Sequence, residues 1–289
     1  MANIMRMDLY RLVHGKSLWV FLVAIAALAA MGAGMMGVVT DPAFMESMTM
    51  SYTNGAPAGV NIGFSSSGPD ASDLAEANAA VAMLAQGLSP EALIGNVFLG
   101  GGGLSCLFVV FLAIFLASEF ESGFSKNVST VQPSRLALLG ARTLEVLVLA
   151  ALFTALMIGA TLATAAVVGL GLAPTPPTDL LLWGALVALT AAGFGMLTAL
   201  AVWATRKMAA GIVIGIVLGA GLVTAGLQAL LLLAPSASHL ADYTLSSCMA
   251  SLSQGLGGPL GAAHIALVGV AFIAVAVALS AVALRKKDV

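Results

Sequence analysis

The residues that could do chemistry are few and scattered. Gly15-Lys16-Ser17 has the ending of a phosphate-binding loop, in which backbone N–H groups and a lysine hold phosphate oxygens. That loop needs a glycine five positions before its Gly-Lys pair, and Tyr10 stands there with no strand before it. His14, His239 and His264 could ligate a metal, but they are far apart and lack metal-ligand spacing. Gly103-Leu104-Ser105-Cys106-Leu107 has the serine of a nucleophile elbow without its second glycine. Cys106 lies in an apolar run and Cys248 in a polar stretch, so two small buried residues are expected rather than a disulfide. The expectation is a chain that is not an enzyme, with no catalytic, cofactor-binding or metal-ligating residues of its own.

The elements that carry these residues belong in lipid. Of 289 residues, 60% are hydrophobic and 8% charged, against about 25% charged in soluble domains. Mean hydropathy is +1.06, and a chain of this length cannot hide that much apolar surface from water. A helix crosses the hydrocarbon core with about 20 mostly apolar residues. Leu18–Val39, Ile94–Ala117, Val146–Leu170, Leu180–Ala204, Met208–Leu233 and Ala262–Leu284 meet that test without an Asp, Glu, Lys or Arg. Pro174, Pro176 and Pro177 stop any helix between the third and fourth spans. Thr205-Arg206-Lys207 turns the fourth and fifth into a hairpin. The predicted fold class is all-α, a polytopic membrane protein of six spans forming a single domain over residues 1–289.

Orientation follows from the basic residues, which concentrate in cytoplasmic loops. With the N-terminus inside, all eleven fall inside: Arg6, Arg11, Lys16, Lys126, Arg135, Arg142, Arg206, Lys207, Arg285, Lys286 and Lys287. The outside loops then hold Asp41, Glu46, Asp70, Asp73, Glu76, Glu91, Asp179 and Asp242, and no basic residue. The expected place is a membrane with both termini cytoplasmic. The N-terminus does not read as a cleavable signal, because its polar lead precedes a run long enough to span and stay.

Residues 1–17 read as an amphipathic helix in the inner headgroup region. Met5, Leu9, Leu12 and Val13 share a helical spacing, with Arg6, Arg11 and His14 elsewhere. Residues 40–93 form a long outside loop with a short helix expected over Ser72–Gln86. Residues 118–143 form a cytoplasmic loop of mixed charge. Residues 234–261 are outside but only mildly polar, so part of them is expected to re-enter the membrane, packed on protein or a water-lined cavity. Trp19, Trp183 and Trp203 lie near span ends, where interfacial anchors are expected.

Within the spans the polar side chains are uncharged, Gln228 among them with scattered Thr and Ser. Ion-coupled carriers keep ionisable groups there, so that class is disfavoured. Gly211, Gly215 and Gly219 recur every fourth residue, a face that lets another helix approach closely, within the chain or in a dimer. Gly32, Gly193 and Gly195 add similar faces. Gly100–Gly103 in the second span weakens a helix and reads as a hinge, a close-packing point or a local irregularity.

The loop after the second span reads Ala117-Ser118-Glu119-Phe120-Glu121-Ser122-Gly123-Phe124-Ser125-Lys126-Asn127, then Gln132-Pro133-Ser134-Arg135. Acidic residues leave the membrane at a helix end, a glycine permits a turn, and Pro-Ser-Arg closes the segment. This describes a short helix parallel to the membrane and displayed to the cytoplasm. With the lead Met7-Asp8-Leu9-Tyr10-Arg11-Leu12, then Lys16-Ser17-Leu18-Trp19, and the six-span layout, the chain resembles permease subunits of type 2 ABC exporters. The resemblance is to the six-span bacterial group that includes antimicrobial-peptide and lantibiotic export or self-immunity permeases. It covers nearly the whole chain, and most of it is architecture. It implies that the loop is a coupling helix docking on a separate ATPase subunit, with Glu119, Phe120, Glu121, Gly123, Phe124 and Lys126 at that contact. ATP and Mg would sit on the partner, and a second permease copy or homologue would complete a dimer. Phe124 departs from the threonine usual in the family. The apolar lining suits a hydrophobic or amphiphilic substrate, and no nucleic acid is expected as partner. An ion-coupled secondary transporter and a non-transporting membrane assembly factor are the alternatives.

Overall fold

The computed structural model describes residues 10–39, 41, 88–121, 135–231, 233 and 235–286. Among them the chain is helical, with no strand. Residues 10–14 form a helical lead-in, and α1 is Lys16–Val39. Next come α2 (Pro90–Ile94), a π-helical turn (Gly95–Leu99) and α3 (Gly103–Glu121). The helices α4 (Arg135–Val168) and α5 (Pro177–Thr205) follow. A bent pair, α6 (Met208–Gly219) and α7 (Leu222–Leu231), precedes a 3-10 segment (Pro235–Tyr243). Last come α8 (Leu245–Leu252) and α9 (Ala262–Lys286). Five helices are long and apolar enough to cross a membrane, six if the bent pair α6–α7 counts as one span.

α5 is the axis of the bundle, packing on α9, α4, α6, α3 and α8. Side-chain size explains its centrality. Gly195 lies where Phe108 and Leu112 of α3 and Val146 of α4 converge, so three helices approach at one level. Thr190 and Thr198 are buried, and each donates its hydroxyl to the carbonyl four residues back, on Leu186 (2.8 Å) and Phe194 (3.0 Å). They are thereby polar in composition and satisfied in fact. Phe153 of α4 packs edge-to-face on Phe108 of α3 and at a tilt on Phe111, with ring centroids 5.4 and 4.8 Å apart. By contrast α1 and α9 are peripheral and expose Val20, Val23, Met31, Val270, Val275 and Leu279. Such faces are stable only against an apolar medium.

Cross-helix contacts set the directions. Gly211 lies on Ala113, Gly215 on Val109 and Gly219 on Ser105, so α6 runs antiparallel to α3. Gly184 meets Ile158 and Gly195 meets Val146, which makes α4 antiparallel to α5. One end of the bundle therefore collects Arg11, Arg142, Arg206 and Lys207, and the other collects Glu91, Asp179 and Asp242. These are the basic and acidic ends below.

Several sequence expectations need correction. The second span is not the continuous Ile94–Ala117 helix. It breaks at Gly100–Gly102, where Gly102 has φ +69° and packs so closely on the Gly219 carbonyl that a methyl group would collide with it. The fifth span, expected as Met208–Leu233, bends by 48° between α6 and α7, with Gly221 at φ +74°. Glycine's access to positive φ permits both breaks. The helix that carries the third span starts at Arg135 rather than Val146, and its early turns pack on the protein through Leu139 and Ala141. Trp183, expected as an interfacial anchor, is wholly buried, and Trp203 is nearly so. Trp19 is exposed and donates its indole N–H to the Val13 carbonyl (3.0 Å). The expected helix over 72–86 lies outside the described residues.

Candidate functional site

At the basic end, charge is gathered inside the protein. Glu119, in the last turn of α3, forms an ion pair with Arg142 of α4 at 2.9 Å and a longer one with Arg11 of the lead-in at 3.4 Å. Arg142 also binds Glu145 at 2.6 Å, a pairing that the i,i+3 spacing on one helix face allows. The Glu119 and Arg142 side chains are 6% and 7% exposed, so this is a buried ion pair. Arg11 further donates to the Phe115 carbonyl and to Ser118 Oγ, both at 3.2 Å, and lies over the Phe115 ring. Three chain segments distant in sequence are tied at one point.

This places the residues singled out for partner contact. Glu119 turns its carboxylate inward to the two arginines. Phe120 is half-buried and packs against the core. Glu121 closes α3. Gly123, Phe124 and Lys126 lie outside the described residues. What the structure adds is the frame beside them: α3 ends at Glu121, α4 begins at Arg135, and Glu119 and Arg142 cross-link the two helices near those ends. Sequence reasoning missed Arg11 and Arg142 as partners. Arg11 had been assigned to the polar face of the lead-in, whereas it reaches into the protein. The Arg142–Glu145 spacing was a usable signal; the pairing with Glu119 was not, because nothing local sets two helices side by side.

A second feature lies nearer the acidic end, where the breaks of α2–α3 and α6–α7 face each other at Gly102 and Gly219. The start of α8 fills the same place. Ser246 donates to the Leu218 carbonyl exposed by the α6 break (3.2 Å), and Thr224 of α7 donates to Thr244 Oγ1 (3.1 Å). Thr244 in turn caps α8, accepting from the Ser247 N–H at 3.2 Å and donating to the Ala241 carbonyl at 2.9 Å. Leu245 packs on Gly193, midway along α5, and the Trp183 indole N–H donates to the Leu252 carbonyl at 2.8 Å nearer its acidic end. The 235–252 segment thus reaches the middle of α5, and α8 climbs back towards its acidic end. Gly211, Gly215 and Gly219 all lie on faces packed within the chain. Cys106 and Cys248 are free thiols.

His264 donates from Nε2 to the Asp242 carbonyl (3.1 Å), and its ring packs on Tyr243. This pins the 3-10 segment to the first turn of α9. Among the described residues no group of three or more His, Cys, Asp or Glu side chains is placed to hold a metal. Compared with models of known protein families and with curated proteins, the chain matches none.

Proposed function

We propose that this chain is the membrane-spanning permease subunit of an ATP-driven exporter whose ATPase is a separate protein. It sits in a bacterial plasma membrane with six spans and both termini in the cytoplasm. The basic end is the cytoplasmic one, in keeping with the bias of Lys and Arg to that side. Part of residues 234–261 re-enters the membrane from outside; the burial of Cys248, Met249 and Leu252 of α8 against protein supports this.

The observation that carries this reading is the buried Arg11–Glu119–Arg142 cluster. A displacement of segment 122–134 would be passed to α3, α4 and the lead-in together, since all three are joined at that point. In the resembled family that segment docks on the ATPase. ATP would favour a closed pair of ATPase subunits, and binding that differs between two permease states shifts their populations. The facing glycine breaks of the second and fifth spans supply positions where such a displacement could be absorbed as rotation. Two permease copies, or one with a homologue, would enclose a path for a hydrophobic or amphiphilic substrate, an antimicrobial peptide among the candidates.

The test is affinity purification of the tagged chain from native membranes. A stoichiometric Walker-motif ATPase is expected in the eluate, lost in Phe124→Asp/Lys126→Glu while the chain stays membrane-inserted. Reproducible absence of such an ATPase from the intact wild-type complex rejects the proposal.

A further inference from the structure

The half of the broken fifth span nearer the acidic end is held by little besides hydroxyls. Of the 10 residues of α7 only Thr224 is buried, and Leu222, Val223 and Leu230 are exposed. Among the described residues its packing is chiefly on α6 and the 3-10 segment. It meets α6 at a 48° bend, with Gly221 at φ +74° as the joint.

Two hydrogen bonds with the start of α8 hold that bend. In a continuous helix the Leu218 carbonyl accepts from the Leu222 N–H. Here it accepts from the Gly221 N–H at 3.1 Å and from the Ser246 hydroxyl at 3.2 Å. Ser246 thus stands in for a helical donor. Thr224 is the other point of attachment. Thr161, Thr190 and Thr198, buried in unbroken helices, turn their hydroxyls to the carbonyl four residues back. Thr224 instead donates across to Thr244 Oγ1 at 3.1 Å.

Straightening α6 and α7 into one helix would break both bonds and replace both. The Leu222 N–H would take the Leu218 carbonyl, and the Thr224 hydroxyl would turn to the Ala220 carbonyl four residues back. Thr244 would keep the Ser247 N–H and the Ala241 carbonyl. Glycine at position 221 accepts either backbone conformation. From this exchange of equivalent bonds we infer that α7 is a lid with two positions. It is bent and latched to α8 by Ser246 and Thr224 in one, and continuous with α6 in the other. A 48° swing about Gly221 carries Leu230 through about 11 Å, at a rise of 1.5 Å per residue. The movement itself does not depend on the exporter reading; its use as the gate through which substrate leaves does rest on it.

Spin labels on unnatural amino acids at the exposed positions Leu181 of α5 and Leu230 of α7 report the swing by pulsed EPR, with the full-length protein in phosphatidylcholine nanodiscs. Thr224→Val/Ser246→Ala removes both latch bonds and should add a second distance, displaced by up to about 11 Å. Gly221→Ala should do the same by another route. Its Cβ would meet Ser246 at an ordinary 3.6 Å, but alanine disfavours the positive φ of the bent form. A control pair at Leu181 and the exposed Leu267 of α9 should keep its wild-type distance in both variants. An unchanged Leu181–Leu230 distribution in either variant overturns the inference. So does a shift of the control pair, which would mean that the whole bundle loosens. If the variants move α7 while no Walker-motif ATPase co-purifies with the wild type, the lid stands and only the exporter reading falls.

Discussion

The two ends of this bundle handle polarity by opposite means. The basic end buries full charges and matches them, Glu119 and Glu145 against Arg11 and Arg142. The acidic half uses neutral groups: Thr224, Thr244 and Ser246 on hydroxyls and carbonyls, and Trp183 on the Leu252 carbonyl. A buried ion pair is costly to break from one side only, because the remaining charge stays desolvated. A neutral hydrogen bond contributes about 1 kcal/mol and can be remade with water. The basic end is therefore built to move as a unit, and the acidic half to be rearranged bond by bond.

Arg142→Ala should have the largest effect, since it strands Glu119 and loosens Glu145. A destabilisation of about 3–5 kcal/mol is expected, seen as a large fall in melting temperature in detergent. Removing both charges with Glu119→Met/Arg142→Met should recover much of that loss. An unchanged melting temperature in the single variant would show that the cluster does not hold the end together. Next comes Gly215→Val. Even a Cβ there would lie 2.9 Å from Val109 and 3.0 Å from Thr198 Oγ1, so overpacking should cost about 1–3 kcal/mol. The same melting assay reads it, and tolerance would mean that α3 and α6 are not in register at that level.

Trp183→Phe tests the acidic half. Loss of the bond to Leu252 should cost about 1 kcal/mol and speed amide exchange across 245–252 more than across α3. Uniform exchange would sever the proposed link between α8 and α5. Thr244→Ala removes the α8 cap and should cost about 1 kcal/mol, again localised to that helix. The smallest effect has the opposite sign. Gly159 of α4 has nothing within 4 Å of where its Cβ would lie, so Gly159→Ala should stabilise by up to about 1 kcal/mol through helix propensity. A loss of stability would reveal a close neighbour there.

Much of this organisation was readable before any coordinates. Runs of apolar residues located the long helices to within a few residues, except where α4 continues back to Arg135 and where the broken second span leaves α3 starting only at Gly103. The glycine repeat over Gly211–Gly219 marked a packed face. Gly100–Gly103 marked a weak point without showing that the helix breaks there. The mild polarity of 234–261 pointed to a segment not fully in water, and Trp183 was misplaced because nothing in sequence distinguishes an anchor from a buried donor.

Composition and hydrophobic run length, by themselves, determined that the chain is helical with apolar faces that exceed its own core. The reason is additive: each residue contributes its transfer energy wherever it lies along the helix. The tertiary structure alone decided that Arg11 and Arg142 meet at Glu119 and that two glycine breaks coincide. Those outcomes depend on which helix faces are opposed and at what height. That is fixed by interlocking side-chain shapes among segments far apart in the chain.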